Sequence, residues 1–229
     1  MIVFVNKKSI MGFAVCLVLV VVLCFSIPNV ISTFSSASNS FTVIIDAGHG
    51  GMDGGCVAKD GTVEKDLNLD ISLKLRELFE ISGINTVMTR KDGGSTYDSE
   101  KFNKNADIKA RIELINSYSN CVVLSIHMNN FSDSRYNGSQ IFYSNDDFSK
   151  ALSETIRADI VSFLQPDNTR KIKPIPSSVL LFKRIKNPAI LCECGFFSNE
   201  AELEKLKSDS YRTQLALVIY NAFMKYISQ

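Results

Sequence analysis

His49 and His127 are the two histidines of the chain, and each follows a short apolar run rich in β-branched residues. Phe41-Thr-Val-Ile-Ile45 leads into Asp46-Ala-Gly-His-Gly-Gly51, and Cys121-Val-Val-Leu-Ser-Ile126 leads into His127-Met-Asn-Asn130. Such runs predict buried strands. Both imidazoles then fall just past the C-terminal ends of strands, the edge at which open α/β sheets form ligand sites. A hydrolytic zinc site takes three protein ligands and keeps a position for water. Glu64 is the candidate third ligand, at the start of the helix after the glycine-rich turn, although the helix dipole favours an acid there without any metal. Glu193 lies inside Ala-Ile-Leu-Cys-Glu-Cys-Gly-Phe-Phe, where an unpaired carboxylate costs on the order of several kcal/mol. It therefore needs a metal, a buried salt bridge or a catalytic role. Strand alternation points it away from Cys192 and Cys194, which read as packing residues.

Those residues must be positioned by a layered fold. Leu67, Ile71, Leu75, Leu78 and Phe79 recur at helical spacing up to Gly83, Ile84 to Thr89 reads as a strand, and a helix is expected from about Ala106 to Tyr118. Gly138 to Ser144 is a further strand, followed by a helix marked by Phe148, Leu152, Ile156 and Ile160 that Pro166 ends. Ser178–Phe182 and Ala189–Phe196 read as strands, and Glu200–Leu206 and Tyr211–Ile227 as helices. Helices between apolar strands imply an α/β fold: one domain with a mixed, largely parallel sheet and helices on both faces. Lys91–Asn105 and Asp167–Pro176 are irregular stretches suited to meeting a partner.

The motifs resemble those of the zinc-dependent N-acetylmuramoyl-L-alanine amidases, over essentially all of residues 41–229. Val-Ile-Ile-Asp-Ala-Gly-His-Gly-Gly matches that family's first metal motif, Glu-Lys-Asp-Leu-Asn-Leu its second, and Ser-Ile-His-Met-Asn-Asn its third; Glu-Cys-Gly-Phe-Phe-Ser-Asn carries its catalytic glutamate. The resemblance implies Zn²⁺ held by His49, Glu64 and His127, with Glu193 as base and then acid in cleaving the amide between N-acetylmuramic acid and L-alanine. Met128 and the cysteines beside Glu193 depart slightly from the pattern. The short architecture and Lys173-Pro-Ile-Pro-Ser-Ser-Val-Leu-Leu resemble the germination-specific branch, which implies spore cortex as substrate and muramic-δ-lactam as the eventual product. Another zinc hydrolase of wall polymers, a deacetylase or an endopeptidase, and a non-catalytic wall-binding module are the alternative readings. Asp46 and Asp53 are open to orienting a histidine or capping a turn. Arg90 and Arg111 are open to meeting substrate carboxylates or forming surface ion pairs.

The chain has 229 residues, 25 lysines and arginines and 24 acids. With Lys7 and Lys8 set aside the remainder is close to neutral, which excludes the basic footprint of a nucleic-acid binder. Those lysines precede a charge-free apolar run from Ser9 to Ile27, close to the ~20 residues of a bilayer span. Residues 1–40 are accordingly expected to be an export signal or membrane anchor with a short linker, with a small-residue cleavage site at Ser35 and Ala37 as the alternative to an uncleaved anchor. The lysines stay cytoplasmic, so the catalytic domain, residues 41–229, lies outside the membrane. Without separate wall-binding repeats, an exported protein partner or the anchor is expected to position the enzyme on peptidoglycan. Cys56, Cys121, Cys192 and Cys194 fall in the exported part, where an even count would ordinarily suggest disulfides, but the last three sit in apolar runs as small hydrophobes.

Overall fold

The computed structural model describes residues 41–97 and 103–228. The anchor or signal expected in residues 1–40 lies outside the described residues, among which no helix is long and apolar enough to cross a membrane.

Six strands form one sheet in the order β2-β1-β3-β6-β4-β5. They are β1 (Thr42–Ala47), β2 (Asn85–Met88), β3 (Cys121–Asn129), β4 (Gln140–Tyr143), β5 (Lys173–Pro174) and β6 (Ala189–Phe196). The β1–β2, β1–β3, β3–β6 and β4–β5 pairs are parallel, whereas β4 runs antiparallel to β6. Among the described residues six helices accompany them: α1 (Glu64–Ile81), α2 (Lys104–Asn116), α3 (Asp147–Phe163), α4 (Leu180–Arg184), α5 (Glu200–Lys207) and α6 (Asp209–Ile227).

Alternation along the central strands divides the core in two. Val43, Ile45, Val122, Leu124, Ile190 and Cys192 enter the larger cluster, beneath α1, α3 and α6 through Ile71, Leu75, Ile156, Ile219 and Phe223. Ile44, Val123 and Ala189 face the other way, against Ile115 of α2 and Leu181 of α4. Because these strands are covered on both faces they read as continuous apolar runs, as parallel sheets must. The expected fold class is the observed one.

One expected element is different. Ser178–Phe182 contributes no strand; Leu180–Arg184 forms the short helix α4 instead. A brief apolar run cannot be assigned by periodicity alone. Here Leu181 is buried while Leu180 is exposed, the pattern of a turn of helix laid on the sheet with one side chain inward.

Candidate metal centre

Strand order places the site. From β1 the chain passes through α1 to β2 on one side, then through α2 to β3 on the other side of β1. Connections that leave neighbouring parallel strands in opposite directions open a crevice at their C-terminal ends, the topological switch point of an open α/β sheet. His49 follows β1 and His127 lies near the end of β3, so both stand at that crevice. Helix α1 returns against β1, which brings its first residue, Glu64, to the same edge.

Glu64 Oε1 lies 3.3 Å from His49 Nε2 and 3.3 Å from His127 Nδ1. The three donor atoms fall within 4.8 Å of one another, a group that could hold a metal ion. Donors ~2.1 Å from a tetrahedral ion stand roughly 3.4 Å apart, and two imidazoles with one carboxylate are a zinc-type ligand set, so these residues fit the ion. Two glycines keep the space open. A Cβ on Gly48 would stand 2.3 Å from His127 Nε2, and one on Gly55 would stand 2.5 Å from Glu64 Oε2.

Each candidate ligand is held by neighbours. His49 Nδ1 is 3.0 Å from Asp53 Oδ2, which also pairs with Lys104 at 3.0 Å; an Nδ1–H given to Asp53 leaves Nε2 as the ligand atom. Asp53 also accepts from the Gly55 N–H at 3.3 Å, so histidine orientation and turn capping coexist in one side chain. Glu64 is almost completely buried. Its Oε2 accepts from the Cys56 N–H at 2.9 Å and its Oε1 from the Met128 N–H at 3.0 Å. Burial alone would raise its pKa, but hydrogen bonds and charge from His127 and His49 hold it far below the usual carboxylate range. Burial disfavours the charged form of His49, yet Glu64 and Asp53 outweigh that and raise its pKa.

Glu193 sits on β6 directly beside His127 on β3, in register. Its Oε2 is buried with no hydrogen-bond partner, and among the described residues no ion pair involves it, so the buried salt bridge considered from sequence is not what the structure contains. Burial, with the Glu64 charge adding and His127 and His49 opposing, pushes its pKa to about 7. Cys192 and Cys194 turn into the larger core cluster as expected, and all four described cysteines are free thiols.

Three further side chains differ from the sequence reading. Asp46 neither touches a histidine nor caps a turn; it is buried, paired with Arg111 at 2.6 Å and accepting from Ser125 and Thr89 at 2.6 and 2.9 Å. Arg90 and Arg111 are not surface groups: each is 4% exposed, sealed beneath the His49 loop with its guanidinium turned to backbone carbonyls. Basic side chains are mostly exposed, and only the tertiary contacts reveal otherwise. A fourth residue, Asn68, was missed altogether. Its Nδ2 donates to Glu64 Oε1 and to the Gly48 carbonyl, both at 3.2 Å; its i+4 spacing from Glu64 on α1 was the available signal.

Beside Cys56 opens a groove of about 980 Å³, walled by Lys59, Asn130, Ser198, Glu200 and Glu204.

Comparison with known proteins places these observations among relatives. A family model described as N-acetylmuramoyl-L-alanine amidase matches residues 43–225. The germination-specific N-acetylmuramoyl-L-alanine amidase of Bacillus subtilis is 29% identical over 199 residues, covering 82% of this chain and 80% of that protein. Among solved structures, the CwlD amidase from Clostridioides difficile in complex with the GerS lipoprotein superposes with a TM-score of 0.77 at 42% identity, over 82% of this chain and 98% of that one. An N-acetylmuramoyl-L-alanine amidase from Clostridium difficile 630 gives 0.72 at 34% identity, over 84% and 99%.

Proposed function

The chain belongs to the N-acetylmuramoyl-L-alanine amidase family, and on that premise we propose that His49, Glu64 and His127 hold a zinc ion beside which Glu193 moves the proton of hydrolysis. The bond cleaved joins the lactyl carbonyl of N-acetylmuramic acid to the amine of L-alanine in peptidoglycan. The observation that carries the reading is the convergence of three ligand atoms within 4.8 Å next to a buried carboxylate oxygen without a partner.

Zinc, when bound, supplies polarisation of the scissile carbonyl and acidification of water. The protein residues do the rest. Glu193 accepts a proton from the attacking water and returns it to the departing amine as the C–N bond breaks, leaving a lactyl carboxylate and a free N-terminal L-alanine. A carboxyl group with a pKa near 7 can serve as base and then as acid near neutral pH. Asp53 keeps His49 in one tautomer, and the Cys56 and Met128 amides fix both oxygens of Glu64. The groove beside Cys56 has the volume for a peptide stem.

The enzyme works outside the cytoplasm, where peptidoglycan lies. Spore cortex as the particular substrate, leading toward muramic-δ-lactam, is supported by the similarity to the germination-specific amidase of Bacillus subtilis. Attachment to the membrane through residues 1–40 is supported by Lys7, Lys8 and the apolar run after them. An exported protein partner is supported by the 42% identical CwlD amidase, whose structure is a complex with the GerS lipoprotein.

Metal analysis of the purified protein, combined with mass spectrometry of digested sacculi, tests the reading. One zinc per chain and newly freed N-terminal L-alanine are expected, both lost in His49→Ala, Glu64→Ala and His127→Ala. Undiminished appearance of N-terminal L-alanine with EDTA-stripped protein, or products of deacetylation or peptide cleavage instead, would overturn it.

A further inference from the structure

His49 has φ +61°, a left-handed backbone conformation that residues with a side chain rarely adopt. Such a residue persists only where its surroundings impose it, and here the surroundings are two buried guanidinium groups. Arg90 donates from Nε to the Ala47 carbonyl at 2.9 Å and from Nη2 to the Gly48 carbonyl at 3.0 Å. Arg111 donates from Nη1 to the Ala47 carbonyl at 2.8 Å and from Nη2 to the carbonyl of His49 itself. Three consecutive carbonyls are thus gripped from beneath while the imidazole projects into the crevice.

The two arginines are anchored differently. Arg111 is fixed by carboxylates, Asp46 at 2.6 Å and Asp107 at 2.9 Å. Among the described residues Arg90 has carbonyl partners alone: besides Ala47 and Gly48 it holds the carbonyls of Asp92 at 2.8 Å and Lys65 at 2.7 Å. Lys65 is the neighbour of Glu64, so one guanidinium spans the loop that carries His49 and the helix turn that carries Glu64. Gly50 allows that approach: a Cβ there would stand 2.8 Å from the Arg90 side chain, and its φ is +144°.

We propose that Arg90 and Arg111 are positioning residues that set His49 and Glu64 at metal-binding separation by fixing the backbone carbonyls of Ala47, Gly48, His49 and Lys65. The inference rests on the zinc reading above and goes beyond it. Two residues of the wrong type to touch the ion determine how tightly it is held. The planar fork is essential, because several carbonyls must be met from one side chain at fixed angles; a lysine brings the same charge to one point.

The test uses the full-length chain in detergent, stripped with EDTA and titrated with zinc against a chromophoric chelator. Arg90→Lys and Arg111→Lys keep the charge and lose the fork, and each is expected to bind zinc about 10–100-fold more weakly than wild type, the range found for groups that orient metal ligands. Phe223→Leu, in the distant core between α1 and α6, serves as control: it lowers the melting temperature of the metal-free protein and is expected to leave zinc affinity within threefold. Affinities in both arginine variants matching wild type, or falling no further than in the control, overturn the proposal while leaving the zinc reading intact. A wild-type chain that binds no zinc overturns both. Should Arg111→Lys fail to fold, Arg90→Lys, which breaks no ion pair among the described residues, decides alone.

Discussion

His127 and Glu193 are register partners on the parallel strands β3 and β6, immediately before the register between those strands shifts at Asn129. Paired residues on neighbouring strands share a face of the sheet, so the imidazole and the carboxylate reach the same crevice from adjacent strands. Replacing Glu193 by Gln keeps the shape and removes the proposed base. We expect kcat to fall roughly 10²–10⁴-fold, the usual contribution of acid–base assistance, with zinc content unchanged. Near wild-type turnover would show that the carboxylate serves the fold alone.

The same substitution changes stability in a pH-dependent way. Burial lifts the Glu193 pKa from 4.5 to about 7 in the folded chain, so on raising the pH the unfolded state releases this proton first. Stability therefore declines between about pH 4.5 and 7 and stays reduced above. In EDTA, Glu193→Gln should match wild type near pH 4 and exceed it at pH 8 by about 1–3 kcal/mol. Urea melts at the two pH values measure the difference; equal differences at both would contradict the assigned environment.

Gly48 is a steric window onto His127. A methyl group there overlaps the imidazole at 2.3–2.6 Å, and the ring must turn away. Gly48→Ala should lower zinc affinity at least about tenfold and cost about 1–3 kcal/mol from overpacking. Isothermal titration with zinc alongside thermal melting checks both; unimpaired zinc binding would mean that the ring has another resting place.

Asp46 stabilises the crevice floor without reaching the ligands. Burial opposes its charge, but Arg111, His127 and Ser125 together hold its pKa below the usual value of 3.8. A depressed folded pKa gives stability that is present above 3.8 and is lost as the pH falls through the folded value. Asp46→Asn should cost about 3–5 kcal/mol at neutral pH by leaving part of the Arg111 charge uncompensated, and should flatten acid unfolding. Denaturant melts at pH 7 and pH 3 give both numbers.

The strands bearing the histidines were legible in sequence because burial on both faces writes an unbroken apolar run, and the polar residue that ends each run marks the sheet edge. Helix α1 was legible from Leu67, Ile71 and Leu75, which placed Glu64 at its start. Helix α4 was not, since one buried leucine in five residues leaves no period to read. Nor were the roles of Asn68, Arg90 and Arg111: each is buried by contacts with segments 20 to 64 residues away in sequence, and a polar side chain gives no local sign that the fold will close over it. The left-handed backbone at His49 belongs with them, since its flanking glycines announce a turn but not which residue bears the unfavourable angle.

The sheet ends at β5 in two residues, Lys173 and Pro174, both exposed. A proline has no amide hydrogen to offer a further strand, and a lysine beside it adds repulsion between like copies. The outer border of β4 is thereby closed with almost no material, and a second molecule finds no row of free amides to extend. This blunt margin is a safeguard against edge-to-edge aggregation written into Lys-Pro.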